Sequence, residues 1–129
     1  MNHLDWKEKT ILIAEDEKIN YLFMKALLAP TGAEVLWASN GDQAIEICGR
    51  SNHVDLVLMD LMMLDREGKE ATRQLKVVNP GLPVIGQTCI SLKNDREEAY
   101  RAGCDSFLKK PVRPENLLAV VKKFLSLKQ

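Results

Sequence analysis

Four carboxylates stand at the ends of two short apolar segments, where they could share a cation. Glu15, Asp16 and Glu17 directly follow one segment, and Asp60 ends another. Carboxylates brought together repel one another, so they either share a proton or hold a cation. Oxygen ligands with room left for water suit Mg²⁺, for which Mn²⁺ could substitute. Taken singly, the acidic triplet could equally be a solvated turn that begins a helix, and Asp60 could cap the next turn.

A hydroxyl group and an ammonium group follow two further apolar segments. Thr88 comes after Val84-Ile85, and Lys110 comes after Ser106–Leu108. An ammonium group, together with Mg²⁺, can neutralise a phosphoryl group that arrives on a carboxylate, and a hydroxyl can meet a phosphoryl oxygen. The structural alternatives are a surface lysine and a hydroxyl bonded to a neighbouring carbonyl. Lys110 precedes Pro111, a pair that can adopt a cis peptide bond.

The elements that would position these residues alternate along the chain. Apolar segments too short for helices, without clean polar alternation, are typical of strands buried on both faces. They are 11–14, 35–38, 56–59, 84–85 and a weaker one at 106–108. Helical spacing of apolar residues follows at 19–27, 41–48, 71–78, 95–102 and 117–125. This alternation predicts a (βα)5 domain, a parallel sheet with helices on both faces that binds ligands beyond its carboxyl edge.

Composition narrows the class of protein. With 129 residues, 46% hydrophobic and 28% charged, the chain has the size and mixture of one soluble globular domain. Lys and Arg number 18, as do Asp and Glu, and this balance argues against direct binding of nucleic acid. The longest apolar stretch, Leu56–Leu64, is too short to span a membrane, and the polar start Met1–Lys9 has no signal-peptide core. We therefore expect a cytoplasmic protein without a membrane partner.

The cysteines and histidines offer no metal-ligand pattern. The three cysteines are far apart, contain no Cys-x-x-Cys pair and are accompanied by two isolated histidines. Reduced thiols that fill apolar space are therefore the favoured interpretation, over zinc ligands or disulfides.

Five motifs together resemble the receiver domain of bacterial two-component response regulators. They are ILIAEDE (11–17), DLVLMD (55–60), PVIGQT (83–88), AGCD (102–105) and FLKKP (107–111). Each is weak alone, but their order and their positions at strand ends make the set specific. The resemblance covers about residues 10–127 and implies a flavodoxin-like α/β fold, a three-layer sandwich with a five-stranded parallel sheet of order 2-1-3-4-5. It leaves residues 1–9 as an N-terminal extension, and no output domain is expected in this chain.

The resemblance also implies residue roles at the acidic rim. Asp60 matches the phosphoacceptor, which takes a phosphoryl group from the phosphohistidine of a histidine kinase. Asp16 and Asp60 match side-chain ligands of Mg²⁺, and the carbonyl of Met62 matches the backbone ligand. Glu15 matches the second acidic position, which in the family often acts through a water molecule.

Three further residues match the catalytic lysine and the switch. Lys110 matches the lysine that pairs with the phosphoryl group. Thr88 and Phe107 match the switch pair, in which the hydroxyl moves to a phosphoryl oxygen and the aromatic ring turns inward. The affected surface is the fourth helix, fifth strand and fifth helix, where an effector protein could dock. Such a domain catalyses its own phosphotransfer and dephosphorylation without being classed as an enzyme, unless it is part of a hybrid histidine kinase.

Several positions depart from the family pattern. Met63-Leu64 replaces the usual Met-Pro, Glu67-Gly68 replaces Asp-Gly, and Cys89 replaces a small residue. Met62 and Ile90 should flank the phosphoryl group, and neither can orient an attacking water. We therefore hypothesise slow self-dephosphorylation and a long-lived signal.

Two classes of function remain open at this point. The first is a phosphorylated receiver with a sensor histidine kinase or phosphotransfer domain as its partner, either stand-alone or cut from a hybrid kinase. The alternative is a pseudo-receiver, a docking module that is never phosphorylated.

Overall fold

Five strands and five helices alternate in the computed structural model, which describes residues 4–50, 53–63, 68–88 and 93–127. The strands are β1 (Thr10–Ala14), β2 (Glu34–Ala38), β3 (Leu56–Asp60), β4 (Val84–Thr88) and β5 (Ser106–Lys109). The helices are α1 (Lys18–Leu28), α2 (Gly41–Arg50), α3 (Gly68–Val78), α4 (Lys93–Ala102) and α5 (Pro114–Leu127), with a 3-10 turn at Ala29–Thr31. Within the described ranges, no helix combines the length and apolarity needed to cross a bilayer.

The sheet is parallel throughout, and its order is β2-β1-β3-β4-β5, which confirms the predicted order. The register aligns the carboxyl ends of neighbouring strands: Ala14 lies opposite Met59, and Asp60 lies opposite Gln87. Residues that follow β1, β3, β4 and β5 therefore emerge at one edge of the sheet, as the rule for parallel sheets requires.

Alternate residues of the central strands enter two separate cores. Leu12, Val57 and Met59 face the layer of α2, α3 and α4, whereas Ile13 and Leu58 face the layer of α1 and α5. All residues of β1, β3 and β4 are buried, because both faces of the sheet are covered. The result is the predicted three-layer sandwich.

The helix ends follow local rules that the sequence carries. Asn40 Oδ1 accepts the backbone N–H of Gln43 at 2.8 Å, and Gln43 Oε1 accepts the N–H of Ser39 at 2.8 Å, so these side chains satisfy backbone N–H groups at the start of α2. Gly103 ends α4 with a φ of 112°, a left-handed value that favours glycine. Pro114 occupies the first position of α5, where no backbone N–H is needed.

The segment before β1 packs onto the domain. The side chain of Trp6 is only 8% exposed and packs in the core formed with α1 and α5. Its backbone N–H donates to the carbonyl oxygen of Thr31 at 2.8 Å. Trp6 belongs to the segment 1–9 that we predict as an extension. From residue 4 onward, that segment therefore covers the amino end of the sheet.

Candidate functional site

Three carboxylates converge at the carboxyl edge of β1 and β3. Oxygen atoms of Glu15, Asp16 and Asp60 all lie within 4.8 Å of one another. Glu15 is 1% exposed and Asp60 is 3% exposed, and Asp16 is half-buried. They meet because β1 and β3 are adjacent and parallel, so that residues far apart in sequence follow neighbouring strand ends. The structure thus brings together three of the four acidic residues that the sequence singled out. The fourth, Glu17, is exposed, and its Oε1 accepts a hydrogen bond from Asn20 Nδ2 at 2.7 Å.

Backbone hydrogen bonds fix the position of Glu15. The N–H of Glu17 donates to Glu15 Oε2 at 3.2 Å, and the Glu15 N–H donates to the carbonyl oxygen of Ala38 at 2.9 Å. The Trp37 Nε1–H donates to the Glu15 carbonyl oxygen at 2.8 Å, and its ring stacks on Tyr21 with 4.5 Å between centroids. The turn after β1 is therefore held on both its side-chain and backbone groups.

Asp60 is held by the residues that follow it and by β4. The N–H of Met62 donates to Asp60 Oδ1 at 2.9 Å, and the N–H of Leu61 donates to the carbonyl oxygen of Gln87 at 2.9 Å. The first residue of α3, Gly68, packs so closely that an added Cβ would overlap the carbonyl oxygen of Asp60. The other oxygen of the carboxylate, Oδ2, lies 3.3 Å from Lys110 Nζ.

One ammonium group bridges the two buried carboxylates. Lys110 Nζ lies 3.2 Å from Glu15 Oε1 and 3.3 Å from Asp60 Oδ2. The backbone N–H of Lys110 donates to the carbonyl oxygen of Thr88 at 2.8 Å, and the Lys110-Pro111 peptide is cis, as the sequence suggested. The three chain segments of the site are thereby joined through a single side chain.

Among the described residues, the site contains three carboxylates and one ammonium group that pairs with two of them. Burial, and then the negative charge of Asp60, raise the pKa of Glu15 to about 7, against the lowering effects of the Glu17 N–H and Lys110. For Lys110, burial lowers the pKa, but the charges of Asp60 and Glu15 outweigh it and the net direction is upward. Among the described residues, the ammonium group of Lys110 is shared by two of the three carboxylates, Glu15 and Asp60. An all-oxygen donor set with three carboxylates fits a hard divalent cation such as Mg²⁺.

The sequence as a whole matches one family. The model of the response regulator receiver domain matches residues 11–122. This chain belongs to the response regulator receiver domain family. The polar-differentiation response regulator DivK of Brucella ovis is 29% identical over 119 residues, which cover 91% of this chain and 96% of DivK.

Solved receiver structures have the same fold as this receiver domain. The receiver domain of the sensor histidine kinase PA1611 from Pseudomonas aeruginosa superposes with a TM-score of 0.84 at 28% identity, covering 92% of this chain and 98% of its own. That structure has a magnesium ion coordinated in its active-site cleft. The co-crystal structure of the Saccharomyces cerevisiae histidine phosphotransfer protein Ypd1 with the receiver domain of Ssk1 matches with a TM-score of 0.79 at 26% identity, covering 91% of this chain and 86% of the matched one.

The two residues of the expected switch lie on either side of the β4–β5 pairing. Thr88 is 4% exposed at the end of β4. Phe107 on β5 is partly buried and packs edge-on against Tyr100 of α4, with 6.2 Å between centroids. The guanidinium of Arg96 lies 5.4 Å from the centre of the same ring. The ring is thus held against α4 at the surface of the domain.

Some residues singled out from the sequence lie outside the described residues, namely Leu64, Glu67, Cys89 and Ile90. Met62 lies within them: its backbone contacts Asp60, and its side chain is 50% exposed.

Sequence analysis missed two residues of this edge. The role of Gly68 depends on its close approach to Asp60, and the only sequence signal for it is a glycine at the start of a helix. Gln87 is 1% exposed, and its Nε2 has no hydrogen-bond partner among the described residues. It lines a cavity of about 90 Å³ between α1 and the segment after β5, together with Lys110. An amide inside an otherwise apolar strand is the signal that could have identified it.

Proposed function

We propose that this receiver domain accepts a phosphoryl group on Asp60 from the phosphohistidine of a sensor histidine kinase or phosphotransfer protein, in the cytoplasm, and signals through a changed surface. One observation carries the proposal: the buried Asp60 carboxylate shares an edge with Glu15 and Asp16, while Lys110 Nζ lies 3.3 Å from its Oδ2. A solvated acidic turn would not bury Glu15 beside Asp60 of β3 and a shared lysine, because burial of charged groups is costly.

The chemistry requires positioning and charge neutralisation. Asp60 Oδ2 attacks the phosphorus atom, the bond from phosphorus to the histidine nitrogen breaks, and the imidazole leaves with the electron pair. The Met62 N–H keeps the other carboxylate oxygen in place at 2.9 Å. Lys110 exchanges its contact with Asp60 Oδ2 for a phosphoryl oxygen, and so stabilises the charge that arrives.

The metal would be held by the same edge. Side chains of Asp16 and Asp60 and the carbonyl of Met62 would ligate Mg²⁺, or Mn²⁺ in its place, with Glu15 acting through a water molecule. The bound ion would supply additional neutralisation of phosphoryl charge. Without the ion, burial and the charge of Asp60 raise the pKa of Glu15 to about 7, and a divalent cation at this edge would favour its ionised form.

The switch would follow from new contacts to the phosphoryl group. The hydroxyl of Thr88 moves to a phosphoryl oxygen, and Phe107 leaves its place against Tyr100 and Arg96 and turns inward. This changes the surface of α4, β5 and α5, where an effector protein would dock. A ligand shifts a two-state equilibrium by its different contacts in the two states, and the phosphoryl group is the ligand here.

An exposed apolar face beside the site supports docking of a phosphodonor protein. On α1, Ile19 is 82% exposed, Leu22 is 47% exposed and Phe23 is 45% exposed. Phe23 lines the same small cavity as Lys110 and Pro111, which places this face next to the phosphoacceptor edge. Ssk1, a receiver of similar structure, is seen with the phosphotransfer protein Ypd1.

A titration separates this proposal from a docking module that is never phosphorylated. Beryllofluoride imitates a phosphoryl group on a carboxylate. With Mg²⁺ present, we expect it to shift backbone amide resonances around Asp60, Thr88 and Phe107, whereas beryllofluoride without Mg²⁺ should not. Acetyl phosphate with Mg²⁺ should add the mass of one phosphoryl group, mapped to the peptide that contains Asp60. A protein that responds to neither reagent would be the docking module. The complete set of Glu15, Asp16, Asp60, Thr88 and Lys110 argues against that outcome.

The proposed domain spans residues 10–127, with 1–9 as an extension whose Trp6 packs against it. Both a stand-alone regulator and a receiver within a hybrid kinase fit this proposal.

A further inference from the structure

The methionines of this protein differ sharply in their access to solvent. Met24 is 2% exposed, Met59 is 0% and Met63 is 3%, whereas Met62 is 50% exposed. An oxidant must reach the sulfur atom to react with it, so among the described methionines Met62 should react first. Its neighbour Met63 is buried in the core and provides an internal reference.

The exposed methionine lies at the phosphoacceptor. The Met62 N–H donates to Asp60 Oδ1 at 2.9 Å, so the backbone that carries the flexible Met62 side chain lies directly beside the carboxylate. A thioether sulfur is a weak acceptor and cannot orient a water molecule. A sulfoxide oxygen is a strong acceptor on the same side chain.

We infer that Met62 is a site of reversible oxidation by hydrogen peroxide, and that its sulfoxide shortens the lifetime of the phosphoryl group on Asp60. The second claim rests on the proposed function. The sulfur lone pair attacks one peroxide oxygen, the O–O bond breaks, and the other oxygen leaves as water after proton transfer. Sulfur loses two electrons and the peroxide gains them. A thiol-dependent reductase restores the thioether.

The described cysteines do not compete for the oxidant. Burial raises the pKa of the Cys48 thiol and of the Cys104 thiol to about 11, so little of the reactive thiolate exists at neutral pH. Oxidation of a thiol to a sulfenic acid or disulfide is moreover reversed by dithiothreitol, which leaves a methionine sulfoxide intact.

The expected effect on the lifetime follows from hydrolysis of the aspartyl phosphate. A water molecule must approach the phosphorus atom from solvent, and the side chain of Met62, whose backbone N–H contacts Asp60, is 50% exposed to that solvent. A sulfoxide oxygen that accepts a hydrogen bond from this water would favour its attack, and one such bond is worth about five-fold in rate. The Met62→Gln variant would carry an amide oxygen, a strong acceptor, on this side chain without any oxidation.

The selectivity is tested on the protein without phosphate. The full chain is treated with dilute hydrogen peroxide and then dithiothreitol, and its peptides are sequenced by mass spectrometry. We expect one added oxygen atom at Met62 before any at Met24, Met59 or Met63. The Met63→Leu variant should give the same result, and Met62→Leu should leave that peptide unmodified. Oxidation of Met59 or Met63 at the same rate as Met62 would overturn the inference.

The lifetime is tested after acetyl phosphate has been removed, by following the loss of the phosphoryl mass in Mg²⁺. Peroxide treatment should accelerate the loss about five-fold in the natural chain. It should leave the rate of loss in the Met62→Leu variant unchanged. Met62→Gln should lose the group quickly without oxidant. An unchanged rate in oxidised protein that had taken up phosphate contradicts the regulatory claim alone. Untreated protein that takes up no phosphate would instead overturn the proposed function together with that claim.

Discussion

The two ends of the sheet carry similar side chains and use them differently. At the amino end, Asp55 Oδ2 accepts the backbone N–H of Thr10 at 2.8 Å, and Glu34 Oε1 accepts the Thr10 hydroxyl at 3.1 Å. Each of these carboxylates has its own donor. At the carboxyl end, Glu15 and Asp60 are almost fully buried and share one lysine. The carboxylates at the two ends therefore differ in their burial and in the sharing of one lysine, rather than in whether they have hydrogen-bond donors.

The larger recess does not lie at the end of the sheet that carries the buried carboxylates. The amino end has an open depression of about 590 Å³, whereas the cavity beside Lys110 measures about 90 Å³. The larger recess is lined by polar groups that have partners, among them Thr10, Glu34 and Asp55. A cluster of buried carboxylates, and not the volume of open space, therefore marks the end that carries the proposed site.

Removal of the phosphoacceptor should have the largest effect. Asp60→Asn should abolish phosphoryl uptake from acetyl phosphate, because an amide oxygen is not a nucleophile of comparable strength. Asp55→Asn, the matched change at the amino end, should take up phosphate to within about two-fold of the natural chain, since its contacts are structural. Intact mass spectrometry gives both results. Equal loss of uptake in the two variants would show that the ends do not differ as described.

A glycine pair tests how tightly the carboxyl end is packed. Gly68→Ala should lower the free energy of unfolding by about 3 kcal/mol, because its Cβ would overlap the backbone of Asp60 and Leu61. Gly49→Ala near the end of α2 has nothing within 4 Å and should raise that free energy by about 0.5–1 kcal/mol. Urea denaturation measures both. Tolerance of Gly68→Ala would mean that α3 does not abut Asp60.

The burial of Glu15 beside Asp60 should make stability depend on pH. Folded Glu15 keeps its proton up to about pH 7, whereas the unfolded chain releases it near 4.5. Between these values the folded state binds more protons, so raising the pH lowers the free energy of unfolding in the absence of Mg²⁺. One proton contributes at most about 1.4 kcal/mol per pH unit.

The control for this pH dependence removes the titrating carboxyl group of Glu15. Glu15→Gln should lower the slope by the share that Glu15 contributes. Urea denaturation at several pH values between 4.5 and 7 measures the slopes. A Glu15→Gln variant with an undiminished slope would contradict the raised pKa.

The smallest predicted effect has opposite signs at the two ends. Gln87→Leu removes a buried amide whose Nε2 lacks a partner, and should raise the free energy of unfolding by about 1 kcal/mol. Thr10→Val removes a hydroxyl that donates to Glu34, and should lower it by about 1 kcal/mol. Thermal denaturation gives the order of the three proteins. Destabilisation by Gln87→Leu would show that the amide has a partner in solution.

The arrangement of strands, and hence the edge of the site, could be predicted from the sequence because it follows from short-range patterns. Strands that are buried on both faces consist of consecutive apolar residues. Parallel pairing then brings the residues at the strand ends, Glu15, Asp60 and Lys110, to the same edge of the sheet. The order 2-1-3-4-5 followed from the family resemblance rather than from the residues themselves.

The remaining features depend on contacts between distant segments. The apolar pattern gave only 84–85 of β4, because Gly86 and Gln87 are poor strand formers that pairing with β3 and β5 keeps in place. Trp6 stands in a polar segment, and its burial arises from the core that α1 and α5 create. The contact between Gly68 and Asp60 likewise exists only in the folded chain.

The indole of Trp37 has a practical consequence. Its N–H is bonded to the backbone of Glu15, and its ring stacks on Tyr21 at the start of α1. Any movement of the acidic turn must therefore alter the surroundings of a fluorophore that the chain already contains. The second tryptophan, Trp6, lies at the opposite end of the sheet. Replacing it with phenylalanine leaves a single tryptophan, whose selectively excited fluorescence reports events at the acidic edge without any attached dye.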